Sequence, residues 1–477
     1  LVGFTNREEV RKALTSQGQQ GTLGLFGESE AVARVEKQAE LADKAFRRFR
    51  QMQTELDMDT AAFASGKAEL RKRLNDLHDE LNRALALRYL SVPIKEDAYQ
   101  KWLKTHHPFH WFVDFYGIMN AGGFDVIIGN PPYIEYNKVK NDYVVQDYET
   151  ITCGNLYSFV LERAFTISKT TTRLGVIVPI SSFATERMKK LQTLVMKGSS
   201  NVWLSSYGIR PSKLFEGAEQ RLTICLTEVD KNNKGINKIF TTKYYRWYTS
   251  ERPYLFPQLA YQDITCFYSK YGFPKISSIL EANILAKFPD GLLGKYFDER
   301  SDNIIYWHRI PAYFIKALDF VPYFKSDRDG IKKSEDYKVF GVNKFTSKGV
   351  ILSLLNSSIF YWFWFAISEG YHCGKHEVLT FPVEFEQVNE EILISLENRS
   401  QELMQDLIRN SKIRQRIQKT TSVEYQEFYP SLSKPIMDRI DYLLSHIYSL
   451  TEDELDFVIN YDIKYRMGQE LREDEDL

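Results

Sequence analysis

The chain carries three textures of apolar and polar positions. From about Ala31 to Tyr89, apolar residues recur every three or four positions, Leu70, Leu74, Leu77, Leu81 and Leu85 among them, against Ala, Glu, Lys and Arg. That spacing winds one apolar stripe along a helix and predicts a helical hairpin or coiled pair. The stretch before it, TSQGQQGTLGLFGESE, has no period and reads as a Gly/Gln/Ser linker. After Pro93 the texture changes. FDVIIGN predicts a short, fully buried strand, Leu156 to Ser168 a helix, LGVIVPI a second buried strand, Glu186 to Val195 another helix, and RLTICLTEV a third strand. Buried strands alternating with helices predict a parallel sheet, in which active sites sit at the carboxyl ends of the strands.

Beyond Asp230, segments rich in Tyr, Phe and Trp run with little clean period to about Phe385, and residues 386 to 460 return to helical spacing with a basic tract at Lys412, Arg414, Arg416 and Lys419. The chain ends in the acidic run ELREDEDL. The expected organisation is a linker and helical insertion over 1–92, an α/β segment over 93–230, a mixed α+β segment over 231–385 and a C-terminal helical region over 386–477. The longest uncharged apolar run, Gly349 to Ile367, approaches the roughly 20 residues of a membrane span but holds Ser353, Asn356, Ser357 and Ser358 mid-run. A buried aromatic helix is expected there, and no membrane association.

Composition narrows the classes. A length of 477 residues is too long for one small module, and 43 % hydrophobic with 26 % charged residues excludes a disordered or fibrous chain. Lys+Arg 62 against Asp+Glu 63 excludes a blanket polyanion binder, so any nucleic-acid surface must be local. Residues 231–385 carry the basic excess, 21 Lys/Arg against 15 Asp/Glu. The four cysteines, Cys153, Cys225, Cys266 and Cys373, form no C-x-x-C pair, which argues against a zinc ribbon and a disulfide scaffold and for a reducing, cytoplasmic setting. The first residues, LVGFTNREEVRK, have no signal-peptide pattern and no Met, and read as an internal cut in a longer protein. His372, Cys373 and His376 match no usual metal spacing, so no metal is expected. His106, His107 and His110, beside Trp111 and Phe112, read as packing.

The stretch with chemistry in it is Asn130-Pro131-Pro132-Tyr133, delivered by the FDVIIG strand to its carboxyl edge. Two consecutive prolines fix φ near −65° and hold Asn130 extended. The Asn130 amide oxygen and the Pro131 carbonyl are two acceptors on one loop, suited to an exocyclic –NH2 group. The face of Tyr133 offers a stacking surface for the ring bearing that amine.

FDVIIGNPPYI resembles motif IV of the gamma-class amino-methyltransferases, the DNA adenine-N6 enzymes of restriction-modification systems, and most of all the large single-chain type IIG kind. The resemblance implies that Asn130 and Pro131 accept hydrogen bonds from the adenine amine, with Pro132 stiffening the loop and Tyr133 stacking on the flipped base. CGNLYSFVLERAF and RLGVIVPISSF resemble the helix and strand that follow. LFEGAEQRLTICL resembles the later loop whose aromatic, here Phe215, packs on the other face of the base. LLNSSIFYWFWFAISEG and KPIMDRIDYLLSHIYSLTEDELDFVINYDIKYR resemble recurrent sequences of the recognition region and the C-terminal end. This implies a partial Rossmann-like methyltransferase sheet with a helical insertion, an α+β target-recognition domain and C-terminal helices. Within that domain Lys325, Arg328, Lys332, Lys333, Lys338, Lys344 and Lys348 are the expected contributors to double-stranded DNA binding. The Asn-Pro-Pro-Tyr sequence also marks protein-glutamine and RNA-guanine methyltransferases.

The family's cofactor is S-adenosylmethionine, held by a Gly-rich strand-turn of the F-x-G-x-G type and an acidic residue after the next strand. Neither precedes Phe124. Gly21-x-x-Gly24-x-x-Gly27 follows no strand and is rejected. The cofactor half, and any nuclease domain, are expected upstream of Leu1. Two alternatives stand beside the methyltransferase reading: a DNA-binding specificity or anti-phage subunit without catalysis of its own, and a methyltransferase acting on a protein glutamine.

Overall fold

The computed structural model describes residues 1–18, 25–52, 60–217, 219–232, 237–418 and 421–468. They form two compact units, residues 1–204 with 222–239, and residues 205–221 with 240–477.

In the first unit, α1 (Arg7–Gly18), α2 (Leu25–Met52) and α3 (Thr60–Ala86) build the helical insertion. Arg34 near the start of α2 pairs with Glu80 near the end of α3, so the two helices run in opposite directions. The leucine stripe behaves as its spacing requires: Leu70, Leu77, Leu81 and Leu85 are buried, and Leu77, Leu81 and Leu85 share a core with Val35, Ala39, Trp102, Phe112 and Phe159. The expected linker is shorter than the sequence suggested. Thr15–Gly18 ends α1 and Leu25–Glu30 begins α2, while residues 19–24, with Gly21 and Gly24, lie outside the described residues. Gly27 belongs to α2, where a phosphate-cradling turn has no place.

The sheet of this unit is mixed. Strand β1 (Phe124–Gly129) pairs in parallel with β2 (Ser168–Pro179), β2 pairs antiparallel with β4 (Leu222–Asp230), and β3 (Ser199–Tyr207) follows β4 in the order β1-β2-β4-β3. The expectation of an all-parallel sheet is thus corrected at β4, which returns through a loop rather than a crossover helix. Even positions of β2 (Leu174, Val176, Val178) are buried, and β2 packs on the helix Leu156–Ile167.

The odd face departs from the sequence reading. Val126 is 59 % exposed and Ile128 82 % exposed, so β1 is not the fully buried strand its apolar run predicted. Ile128, Gly175 and Leu226 sit opposite one another across three strands. A Cβ on Gly175 would lie 3.1 Å from Leu226 and 3.7 Å from Ile128, so the three positions form one continuous apolar row. Strand β1 is also the sheet's edge.

In the second unit, β5 (Lys238–Tyr245) pairs with β6 (Gln262–Asp263). A three-stranded sheet holds β7 (Ile304–His308) between β8 (Ala317–Leu318) and β11 (Tyr337–Gly341). A four-stranded sheet joins β9 (Phe324–Ser326), β10 (Gly330–Ile331), β12 (Lys412–Gln418) and β13 (Thr421–Glu427) in the order β10-β9-β13-β12. The last pair corrects the helical expectation for 386–460: the alternating Lys-Ile-Arg-Gln-Arg-Ile run is strand, inserted between the helices Glu390–Arg409 and Lys434–Ile447.

The long apolar run is two helices, Lys348–Leu355 and Ser358–Ile367, bent by 59° at Asn356–Ser357. Ser357 caps the second helix by accepting from the Phe360 N–H at 3.0 Å. Asn356 accepts from the Ala317 N–H (3.0 Å) and donates to the Ala317 carbonyl (2.8 Å). Every residue from Val350 to Ala366 is buried, Trp362 and Trp364 included. Among the described residues no single helix is long and apolar enough to cross a membrane.

Candidate active site

Strand β1 carries the chain to Gly129, which pairs with Val176, and the loop Asn130–Tyr133 begins beyond the last pair. Its downstream end is tied to the start of the next helix. The Leu156 N–H donates to the Ile134 carbonyl and the Tyr136 N–H to the Gly154 carbonyl, both at 2.9 Å, around a bridge of Glu135 with Asn155. Gly154 turns there at φ +66°, and a side chain at that position would collide with the Arg187 guanidinium. The loop is therefore anchored at both ends, one by the sheet and one by a helix start.

Within it, Pro131 is buried, Asn130 and Pro132 are exposed, and Tyr133 is half-buried. The Tyr133 hydroxyl lies 2.7 Å from Asn130 Oδ1 and 3.1 Å from the Ile177 carbonyl oxygen, so its single proton is offered to two acceptors. Burial raises the Tyr133 phenol to about 12, which keeps that proton in place at neutral pH. The hydroxyl thus orients the Asn130 amide with its oxygen toward Tyr133 and leaves a second lone pair of Oδ1 unused. The Pro131 carbonyl accepts no hydrogen bond from the described residues. The loop presents two oxygen acceptors and no charged group of its own.

Phe215 lies in the second unit, 37 % exposed, on the loop that follows β3. Its neighbours Leu214 and Glu216 border a cavity of about 1110 Å³, together with Arg210, Ser212, Lys213, Trp247, Thr249, Arg252 and Tyr313. Arg252 donates to the carbonyls of Lys213 (3.1 Å) and Leu214 (2.8 Å), and Ser212 Oγ lies 2.8 Å from Thr249 Oγ1. The loop bearing Phe215 is thus pinned by residues more than 30 positions downstream. Sequence reasoning missed Arg252, because one arginine in an aperiodic segment carries no local signal.

The seven basic candidates fall on separate pieces of the second unit. Lys325 on β9 lies 3.9 Å from Glu424; Arg328 and Lys332 share the Asp329 carboxylate at 4.0 and 2.7 Å; Lys333 donates to the Tyr337 carbonyl at 2.9 Å. Lys338 sits opposite Trp307 on β11, Lys344 is exposed in the loop after it, and Lys348 begins a helix. Much of the local positive charge around Arg328 and Lys332 is therefore answered by Asp329.

His106 and His110 are buried with fixed tautomers. His110 Nδ1 accepts from the Phe4 N–H (3.2 Å), so Nε2 carries the proton and donates to Asn82 Oδ1 (3.0 Å). His106 Nε2 accepts from the Val144 N–H (3.1 Å), which leaves Nδ1–H for the Trp102 carbonyl (3.2 Å). Burial pushes the His110 imidazole down to about 3. His372 bonds Glu369, Cys373 is buried, and no group of three or more metal-ligating side chains occurs among the described residues.

Known proteins resemble parts of this chain. A segment of 78 residues is 37 % identical to a protein of Methanocaldococcus jannaschii named as a type II restriction enzyme and methyltransferase, RM.MjaORFECS2P; it covers 16 % of this chain and 6 % of that relative. Among solved structures, the type IIL restriction-modification enzyme MmeI in complex with DNA aligns over 83 % of this chain and 63 % of its own, with 11 % identity and a TM-score of 0.39. The type IIG restriction endonuclease BpuSI aligns over 96 % and 76 %, with 10 % identity and a TM-score of 0.25. Residues 37–208, which take in the helical insertion from within α2 onward, β1, the Asn130–Tyr133 loop, β2 and β3, match the family model described as Eco57I restriction-modification methylase.

Proposed function

We propose that this chain is the acceptor-base and DNA-recognition side of an S-adenosylmethionine-dependent DNA adenine-N6 methyltransferase. The observation that carries the reading is the pair of acceptors at the tip of β1: Asn130 Oδ1, oriented by the Tyr133 hydroxyl at 2.7 Å, and the Pro131 carbonyl, unpartnered among the described residues.

The two N–H groups of an extruded adenine amine would donate to these two oxygens. Paired acceptors draw the amine away from the ring plane and return its lone pair to the nitrogen, making it a better nucleophile without a strong base. Fixing the amine on an anchored loop also removes much of the entropic cost of alignment. The Tyr133 ring supplies a stacking face, which offsets part of the few kcal/mol needed to unstack a base.

S-adenosylmethionine would supply the methyl group, but the described residues do not assemble a site for it. Among the described residues no Gly-rich strand-turn lies beside β1 and no strand pairs with its outer edge, and its apolar face is open at Val126 and Ile128. The open edge and face support a cofactor-bearing half of the sheet that docks against β1 as the partner of this chain. The same observation supports the second reading, a DNA-binding specificity subunit with no catalysis of its own.

Asn130→Ala in the intact protein separates the cases. Methyl transfer to adenine should be abolished while duplex binding stays within a few-fold; unchanged methylation refutes the role of Asn130. Duplex binding without methylation in the wild type, with S-adenosylmethionine and the complementary half supplied, favours the specificity subunit.

A further inference from the structure

The edge strand β12 reads Lys412-Ile413-Arg414-Gln415-Arg416-Ile417, and all six residues are exposed. Strand alternation places Lys412, Arg414 and Arg416 on one face and Ile413, Gln415 and Ile417 on the other. In register, the basic face continues onto β13 through Glu427, Tyr425 and Val423. The reverse face continues through Gln426, Glu424 and Lys325 to Ile331 on β10.

The three cations are held differently. Arg414 is fixed by Glu427 at 2.8 Å and by the Tyr429 hydroxyl at 3.0 Å. The Lys412 ammonium sits 5.5 Å from the centre of the Tyr429 ring. Arg416 has no ion-pair or hydrogen-bond partner among the described residues. Charged side chains on an edge strand also discourage pairing with other chains. That role does not call for Ile413 at 58 % and Ile417 at 79 % exposure on the reverse face, which works against it.

We propose that the β12 edge of this sheet enters the major groove of duplex DNA, with Arg416 reading a base edge and Lys412 contacting the backbone. As the edge of its sheet β12 is paired on one side only, which leaves its other side free to approach a groove about 12 Å wide, and a guanidinium with no partner among the described residues matches the O6 and N7 acceptors of guanine in bidentate fashion. The fixed Arg414 sets the register between the two. The choice of duplex DNA as occupant rests on the methyltransferase reading and on the charge of this strand.

The test uses the intact protein and fluorescence anisotropy with labelled duplexes selected from a random pool, over a salt series. Arg416→Glu should weaken binding about tenfold or more, and Lys412→Ala should flatten the log–log salt dependence by about one unit. Arg416→Lys should keep the salt dependence but lose about tenfold in preference for the selected duplex over random duplex. Thermal melting should not move in either Arg416 variant, since Arg416 is exposed and has no partner among the described residues, so a folding defect is distinguishable. Arg416→Glu binding with wild-type affinity overturns the proposal. So does polyglutamate competing with the wild type as well as duplex does. A wild-type protein that binds no duplex at any salt concentration overturns the DNA reading itself and this inference with it.

Discussion

The Tyr133 hydroxyl stands 2.7 Å from Asn130 Oδ1, so the residue read as a stacking platform also orients the residue read as the amine acceptor. The two roles separate chemically. Tyr133→Phe keeps the ring and removes the oriented hydrogen bond; methyl transfer should fall by about tenfold, the scale of one neutral hydrogen bond. Tyr133→Ala removes both and should fall by several further orders of magnitude. Equal rates for the two variants, measured by tritium transfer to duplex DNA in the intact protein, would sink the stacking role.

His110 ties stability to pH. Its ordinary unfolded value is 6.5 and burial lowers the folded one to about 3, so the unfolded chain binds the extra proton between these limits. Stability contributed by the neutral ring is complete above about pH 7 and is lost as pH falls toward 3. The loss approaches about 1.4 kcal/mol per pH unit, or about 3 kcal/mol by pH 4. Urea titrations from pH 7 to pH 4 should show this fall, and His110→Gln should flatten it at some cost in stability at pH 7.

The open side of β1 makes a different kind of prediction. Ile128 is 82 % exposed, so Ile128→Asp should change the melting behaviour of this chain by no more than about 0.5 kcal/mol. In the intact protein the same change should uncouple the sheet and abolish methylation. Hydrogen exchange should report the difference: amides of β1 that exchange freely in this chain alone should be protected once the complementary half is present. Equal exchange in both would remove the docking argument.

Asn356 closes a buried hydrogen-bond pair on Ala317, with contacts of 3.0 and 2.8 Å. Asn356→Ala would leave an N–H and a carbonyl unsatisfied away from water. A loss of about 2 to 4 kcal/mol in unfolding free energy is expected, read from chemical denaturation.

Much of this was legible in the residues. The leucine spacing of α3 and the apolar run of β1 gave their elements because helix and strand periods are local properties. The loop Asn130–Tyr133 was legible because proline acts on its own backbone. Exposure was not legible in the same way. A continuous apolar run says that a strand expects cover on both faces, and Val126 and Ile128 show that the described residues provide it on one only. Antiparallel β4 was hidden because strand direction depends on how the chain returns, which no residue of RLTICLTEV encodes. The period of two in Lys412–Ile417 was present in the sequence, yet the helical stretches on either side of it masked it. The pinning of the Phe215 loop by Arg252 joins positions with no local relation, and only the folded chain brings them together.

The bend at Asn356–Ser357 sets a limit on reach. Arms of eight and ten residues are about 12 and 15 Å long, each half or less of a hydrocarbon layer about 30 Å thick. Two polar residues at the corner thereby turn the greasiest passage of the polypeptide into a bracket around which the second unit is assembled, and straightening it would give that passage the dimensions of an anchor.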